Sequence, residues 1–171
     1  MIFVADVMLK KLARWLRILG IETLYPTDAS DDALLALAKE KGAVLLTQDV
    51  ELAARARRHR VRAYLVPRGL STEQALAKLA HDFEIPIEDF PSRTLCPKCN
   101  GRLRTVGREA VQGRVHADLT ARHATFWLCD GCGQIYWEGS HWKKITRGVE
   151  RIMAMLREMT KASPRSPHSP R

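Results

Sequence analysis

Four cysteines stand as two Cys-x-x-Cys pairs, Cys96-Pro-Lys-Cys99 and Cys129-Asp-Gly-Cys132, separated by the 29 residues 100–128. This spacing constrains the chain most, because two such knuckles let four thiolates converge tetrahedrally on one Zn²⁺. Gly101 follows the first knuckle, and Gly131 and Gly133 flank Cys132, where small residues let backbone N–H groups turn toward the sulfurs. Free or redox-active thiols are the alternative. Four cysteine ligands leave no open coordination position, so a zinc at Cys96, Cys99, Cys129 and Cys132 is expected to hold a fold and not to catalyse.

Ahead of the knuckles the pattern alternates between strand and helix. Short apolar runs at Ile2–Ala5, Glu22–Tyr25, Ala43–Thr47 and Val61–Val66 read as strands. Between and after them, helices are expected at Met8–Leu19, Asp31–Lys41, 50–59 and 72–83. Gly20 and Gly42 are the stops of the first two, and Ser71 with Gln74 forms a capping box for the fourth. Four β-α repeats in about 85 residues predict an α/β fold, a parallel sheet with helices on its faces. The strand C-termini then share one edge, where sites form.

A Pro-containing linker at 84–94 leads to the knuckle region, 95–142, with short hairpin strands expected between Leu103 and Trp127. An amphipathic helix follows over 143–159, with Ile145, Val149, Ile152, Leu156 and Met159 on one stripe. The expected units are 1–90, 91–160 and a Ser-Pro tail, 161–171, expected to be disordered.

The net charge is +9, and all of it lies after residue 90: residues 1–90 hold 13 Lys+Arg and 13 Asp+Glu, residues 91–171 hold 15 and 6. Zinc on four thiolates would leave that half at +7. Such asymmetry points to a polyanion, most commonly nucleic acid, against the plainer reading of a solvated basic surface. No apolar run approaches the roughly 18 residues of a membrane span. No basic stretch followed by an apolar one opens the chain, so a cytoplasmic location is expected. Gly-rich phosphate loops and a G-x-S-x-G elbow are absent.

Asp6 and Asp49 each fall just past a strand, and Asp31-Asp32 opens a helix. Carboxylates gathered at one sheet edge repel unless a hard cation such as Mg²⁺ or Mn²⁺ joins them, and such a cation can activate water on a phosphodiester. The plainer reading is that each acid favours a helix N-terminus. Lys10, Arg14 and Arg17, at i, i+4 and i+7, share a helix face that could bind phosphates or simply be solvated. His141 and Trp142, in Tyr136-Trp-Glu-Gly-Ser-His-Trp142, could contact nucleic acid or belong to an aromatic cluster of the ribbon. Trp15 reads as packing.

Phe3-Val-Ala-Asp6-x-Met8-Leu9, Leu12-Ala-Arg-Trp-Leu-Arg17-x-Leu-Gly20, Asp31-x-x-Leu-Leu and Leu45-Leu-Thr-x-Asp49 resemble the PIN-like mut-seven C-terminal ribonuclease domain family. Cys-Pro-x-Cys and Cys-x-x-Cys-Gly-x-Ile-Tyr-Trp-x-Gly-Ser-His-Trp142 resemble the zinc-ribbon end of the same family, so the likeness covers about residues 2–155. It implies a PIN-type fold that binds Mg²⁺ or Mn²⁺ through acids and cleaves RNA. Asp6 matches the first-strand acid and Asp49 the acid of Thr-x-Asp. The helix acid falls on Asp31 or Asp32, with Asp31 preferred for its spacing to Leu34 and Leu35. A fourth acid is missing after the last strand, which leads to Pro67-Arg-Gly69; Asp32 or Glu51 would substitute. Rival expectations are a non-catalytic RNA- or ribosome-binding module with vestigial acids, and a toxin-like protein that binds a partner. The sequence names no protein partner.

Overall fold

The computed structural model describes residues 1–162. Four strands, β1 (Phe3–Ala5), β2 (Thr23–Leu24), β3 (Val44–Thr47) and β4 (Ala63–Leu65), form a wholly parallel sheet in the order β2-β1-β3-β4. The helices α1 (Lys10–Ile18), α2 (Asp31–Glu40) and α3 (Val50–Arg58) make the crossovers that parallel pairing requires, and α4 (Thr72–Asp82) follows β4. Ser71 and Gln74 close the capping box of α4, and Gly20 takes φ +81° just past α1, where a side chain would be strained. Helix α1 starts later than its apolar spacing suggests, because residues Val7–Leu9 wind as a 3₁₀ turn.

Strand side chains alternate between two cores. Phe3, Ala5, Val44 and Leu46 join a core with residues of α1 and α4, while Val4 and Leu45 pack with Leu34, Leu35, Leu52 and Ala56 of α2 and α3. The β1–β3 register pairs Ala5 with Leu46. Carried one residue further, it sets Asp6 beside Thr47 with both side chains toward α2 and α3.

The knuckle half is a three-stranded antiparallel sheet of β5 (Leu103–Gly107), β6 (Thr125–Cys129) and β7 (Ile135–Tyr136), in that order. The link between β5 and β6 is more than a hairpin turn: it holds a 3₁₀ turn, Arg108–Val111, and a short helix, α5 (Ala117–Arg122). Val111 and Leu119 of this link pack with Val106, Phe126 and Leu128, giving the small sheet a core of its own.

The last helix, α6 (Ser140–Ala162), begins three residues before its expected start and includes Lys161 and Ala162. Residues 163–171, where most of the Ser-Pro tail falls, lie outside the described residues. Although α6 follows the ribbon in sequence, it packs on α4: Val149 and Ile152 are buried in the core that contains Phe3 and Leu76. Gly148 is needed for this, since a Cβ there would come within 2.5 Å of the Trp15 ring. Trp15 is thus a packing residue, as expected. No helix among the described residues is long and apolar enough to cross a membrane.

Candidate active site and metal centre

The order β2-β1-β3-β4 reverses direction between β1 and β3, because the chain leaves β1 toward one sheet edge and β3 toward the other. Open parallel sheets form their crevice at such a point, past the strand C-termini. Asp6 follows β1 and Asp49 lies two residues past β3. Thr47, fully buried, joins them: its hydroxyl donates to Asp6 Oδ2 at 2.7 Å and accepts from the Asp49 N–H at 2.9 Å.

Asp6 is 6% exposed and makes no side-chain cap bond to the turn it precedes. Among the described residues no cationic side chain pairs with it. The helix-capping reading therefore does not account for Asp6. It does hold for Asp49, the N-cap of α3, whose Oδ1 accepts from the N–H groups of Glu51 at 2.7 Å and Leu52 at 3.1 Å. Asp31 and Asp32 stand exposed at the first turn of α2, both ion-paired to Arg55 of α3, Asp31 at 2.9 Å. Asp6, Asp31 and Asp49 do not close into a tight cluster. Among the described residues, the single set of three or more Cys, His, Asp or Glu ligand atoms within 4.8 Å of one another is the four cysteines. Glu51 is exposed on α3. Where a fourth acid is missing, Arg68 instead donates to the Gln48 carbonyl at 3.2 and 3.3 Å, placing a cation beside Asp49 that the sequence reading did not single out. Val7, Met8 and Val50 form an exposed apolar rim next to the two aspartates.

The cysteine geometry fits zinc. Tetrahedral Zn–S bonds of about 2.3 Å put sulfurs about 3.8 Å apart; Cys96 and Cys132 are separated by 3.8 Å, and Cys99 and Cys129 by 3.4 Å. Gly101 is sterically required, since a Cβ there would lie 2.9 Å from Cys129 Sγ and 3.2 Å from Cys99 Sγ. Burial pushes the Cys96 thiol up, but the Tyr136 hydroxyl, 3.1 Å away, and the N–H groups of Cys99 and Lys98 prevail and hold it at about 7. Cys99 is pushed up to about 12, by burial first and then by hydrogen bonds with the neighbouring thiols. Four thiols this close are held unequally by burial and hydrogen bonding, and a divalent cation would take all four together as thiolate ligands.

The basic stripe divides. Lys10 and Arg14 are exposed, but Arg17 is 6% exposed and is not a free phosphate contact. Its guanidinium donates to the carbonyls of Thr23 at 2.8 Å and of Pro97 and Lys98 at 3.1 Å each, pinning the first knuckle to α1 and β2. Burial lowers its pKa, and the nearby Cys96 and Cys99 act the other way. Asn100 Oδ1 accepts from the Thr23 N–H at 3.0 Å, and the Leu95 N–H donates to the Arg17 carbonyl at 2.8 Å, completing the dock. Lys10 and Arg14 line a groove of about 510 Å³ between α1 and the knuckles, with Lys98, Tyr25 and Tyr136. Of the two aromatic-segment candidates, Trp142 is half-buried in a ring stack and His141 is exposed beside it.

No curated protein and no solved structure matches the chain. Residues 1–149 match the family described as the Mut7-C RNAse domain, a span that takes in the parallel sheet, both knuckles and the first half of α6. Sheet, cysteine cluster and matched span agree with the resemblance carried by the sequence motifs: this chain belongs to the Mut7-C RNAse domain family.

Proposed function

We propose that the chain is a Mg²⁺- or Mn²⁺-dependent ribonuclease that hydrolyses RNA phosphodiester bonds at the carboxylate edge of its PIN-like sheet. The observation that carries this is Asp6: a buried carboxylate with Thr47 as its side-chain donor and, among the described residues, no cationic side chain to offset its charge. Burying such a charge is costly unless it is paired, and its oxygen chemistry suits a hard divalent ion. Asp6 and Asp49 would hold that ion with Asp31 as the third carboxylate, and Asp32 and Glu51 as the neighbouring acids. When bound, the ion lowers the pKa of a water and offsets charge on the scissile phosphate. Thr47 fixes the orientation of Asp6. The N–H groups of α3 fix Asp49 through Oδ1 and leave Oδ2 for the site. Lys10, Arg14 and Lys98 position the phosphate backbone.

In this reading the unit 1–90 supplies the acids, while 91–160 supplies the zinc module, much of the RNA affinity and the helix that packs back on α4. Zinc is structural, and the reducing cytoplasm suits its thiolates. A second reading, a non-catalytic RNA binder with vestigial acids, is favoured by Arg68 at the place of a fourth acid and by the Arg55 pairing of Asp31 and Asp32. Zinc-loaded protein incubated with single-stranded RNA separates them. The ribonuclease gives cleavage that appears with Mg²⁺ or Mn²⁺ and disappears on their removal. Binding without metal-dependent cleavage supports the second reading.

A further inference from the structure

The cross-strand pairs Thr105–Trp127 and Trp127–Tyr136 place these three residues on one face of the ribbon sheet. The ribbon's own core takes the opposite face, with Val106, Phe126, Leu128 and Ile135. The aromatic face looks instead toward α1 and α6, where it walls a cavity of about 250 Å³ together with Ile18 and Trp142. Trp142 stacks nearly parallel to Trp127, ring centres 5.3 Å apart, and to Phe90 at 5.5 Å. Mostly apolar walls with a few polar groups, here Ser92, Thr105 and His141, characterise ligand sites, but drug-sized ligands need about 300–1,000 Å³. The space suits one planar ring system.

What the ring is attached to follows from the neighbouring groove. Pro97 and Tyr136 line both the cavity and the groove that carries Lys10, Arg14 and Lys98. The groove in turn reaches the carboxylate edge, since the Tyr25 hydroxyl donates to the carbonyl of Val7, the residue after Asp6, at 2.8 Å. An aromatic recess that shares two wall residues with a neighbouring cationic groove matches a base on a phosphodiester chain. We infer that the cavity between ribbon and sheet receives one nucleobase of a single-stranded RNA whose backbone runs along the Lys10–Arg14–Lys98 groove toward Asp6. Duplex RNA is excluded from such a site, because its bases are stacked and paired. The inference rests on the RNA reading above and adds to it a base-binding subsite distant from the acids.

The test uses the full, zinc-loaded chain without Mg²⁺ or Mn²⁺, so that binding is read apart from cleavage. Labelled hexaadenylate and an abasic ribose-phosphate hexamer are titrated by fluorescence anisotropy at one salt concentration. Stacking one base strengthens binding by about fivefold or more, so hexaadenylate should bind at least that much tighter. Thr105→Trp, at an exposed strand position on the cavity wall, fills the space and should erase the difference. Thr125→Trp, on the same strand pair but outside the cavity, should keep it. If Thr105→Trp fails to retain one zinc, Ser92→Phe fills the cavity from another wall. Equal binding of the two hexamers, or a base preference that survives filling, overturns the base site and leaves the RNA reading standing. Failure of both hexamers to bind overturns the RNA reading and the base site with it.

Discussion

The hydroxyl of Thr47 donates to the carboxylate of Asp6 at 2.7 Å across neighbouring strands. The same oxygen accepts the N–H of Asp49, so one buried atom ties the two strand-end acids together. Thr47→Val keeps the shape and removes both bonds. Unsatisfied buried partners cost about 1–3 kcal/mol. Denaturant unfolding should show a loss of that size, and metal-dependent RNA cleavage should fall, while zinc content stays at one per chain.

Gly101 sits where a Cβ would press on two of the four sulfurs. Gly101→Ala should therefore lower zinc retention against a competing chelator, although no ligand is changed. Elemental analysis with thiol titration checks this. Wild-type protein should hold one zinc with its thiols protected, and the variant should release metal at lower chelator concentration.

Arg17 connects segments 80 residues apart, through the Pro97 carbonyl. Replacing it by Met leaves three carbonyls without their charged donor, and hydrogen bonds to charged groups are worth about 1.5–3 kcal/mol each. Calorimetric or denaturant unfolding should show destabilisation of at least that order. Arg17→Lys should not restore it, because an ammonium lacks the planar fork that spans separate acceptors. Lys10→Ala, at an exposed site, should change stability by less than about 0.5 kcal/mol and lower RNA affinity instead.

The i, i+4, i+7 spacing of Lys10, Arg14 and Arg17 shows that they share a helix face and cannot show that residues 97 and 98 cover one end of it. The same limit applies to α6. Its stripe of Ile145, Val149 and Ile152 announces a buried face, but only the three-dimensional arrangement reveals α4 as the partner. Strand positions were legible because apolar runs ended in acids or turns. The four-cysteine cluster was legible because its residues sit in two local motifs. The Thr47 bridge was not, since it depends on the β1–β3 register, and neither was the pairing of Asp31 and Asp32 with Arg55.

Helix α6 is also held by Arg151, which donates to Glu73 of α4 at 2.6 and 2.8 Å. The hydrogen bond from Arg151 lowers the Glu73 pKa below its ordinary 4.5, against a smaller opposing effect of burial. A depressed carboxyl stabilises the fold above its unfolded pKa, and that contribution is lost as pH falls through the folded value. Between pH 6 and pH 4 the thermal midpoint should therefore drop more for wild type than for Glu73→Gln. Parallel melting curves for the two proteins check this, and any zinc loss at low pH affects both alike.

In the proposed mechanism Asp6 serves a catalytic cation, so cleavage depends on the charge of this one buried side chain. Asp6→Asn preserves size and removes the charge. The measurement is the Mn²⁺-dependent cleavage rate on single-stranded RNA, with zinc content and unfolding midpoint recorded on the same sample and exposed Asp118→Asn as the control. Losing the metal's share of transition-state stabilisation should slow the Asp6→Asn variant by about a hundredfold or more, with zinc retained and Asp118→Asn unchanged. Cleavage by folded, zinc-loaded Asp6→Asn at the wild-type rate would mean that the Asp6 carboxylate does not hold the catalytic cation.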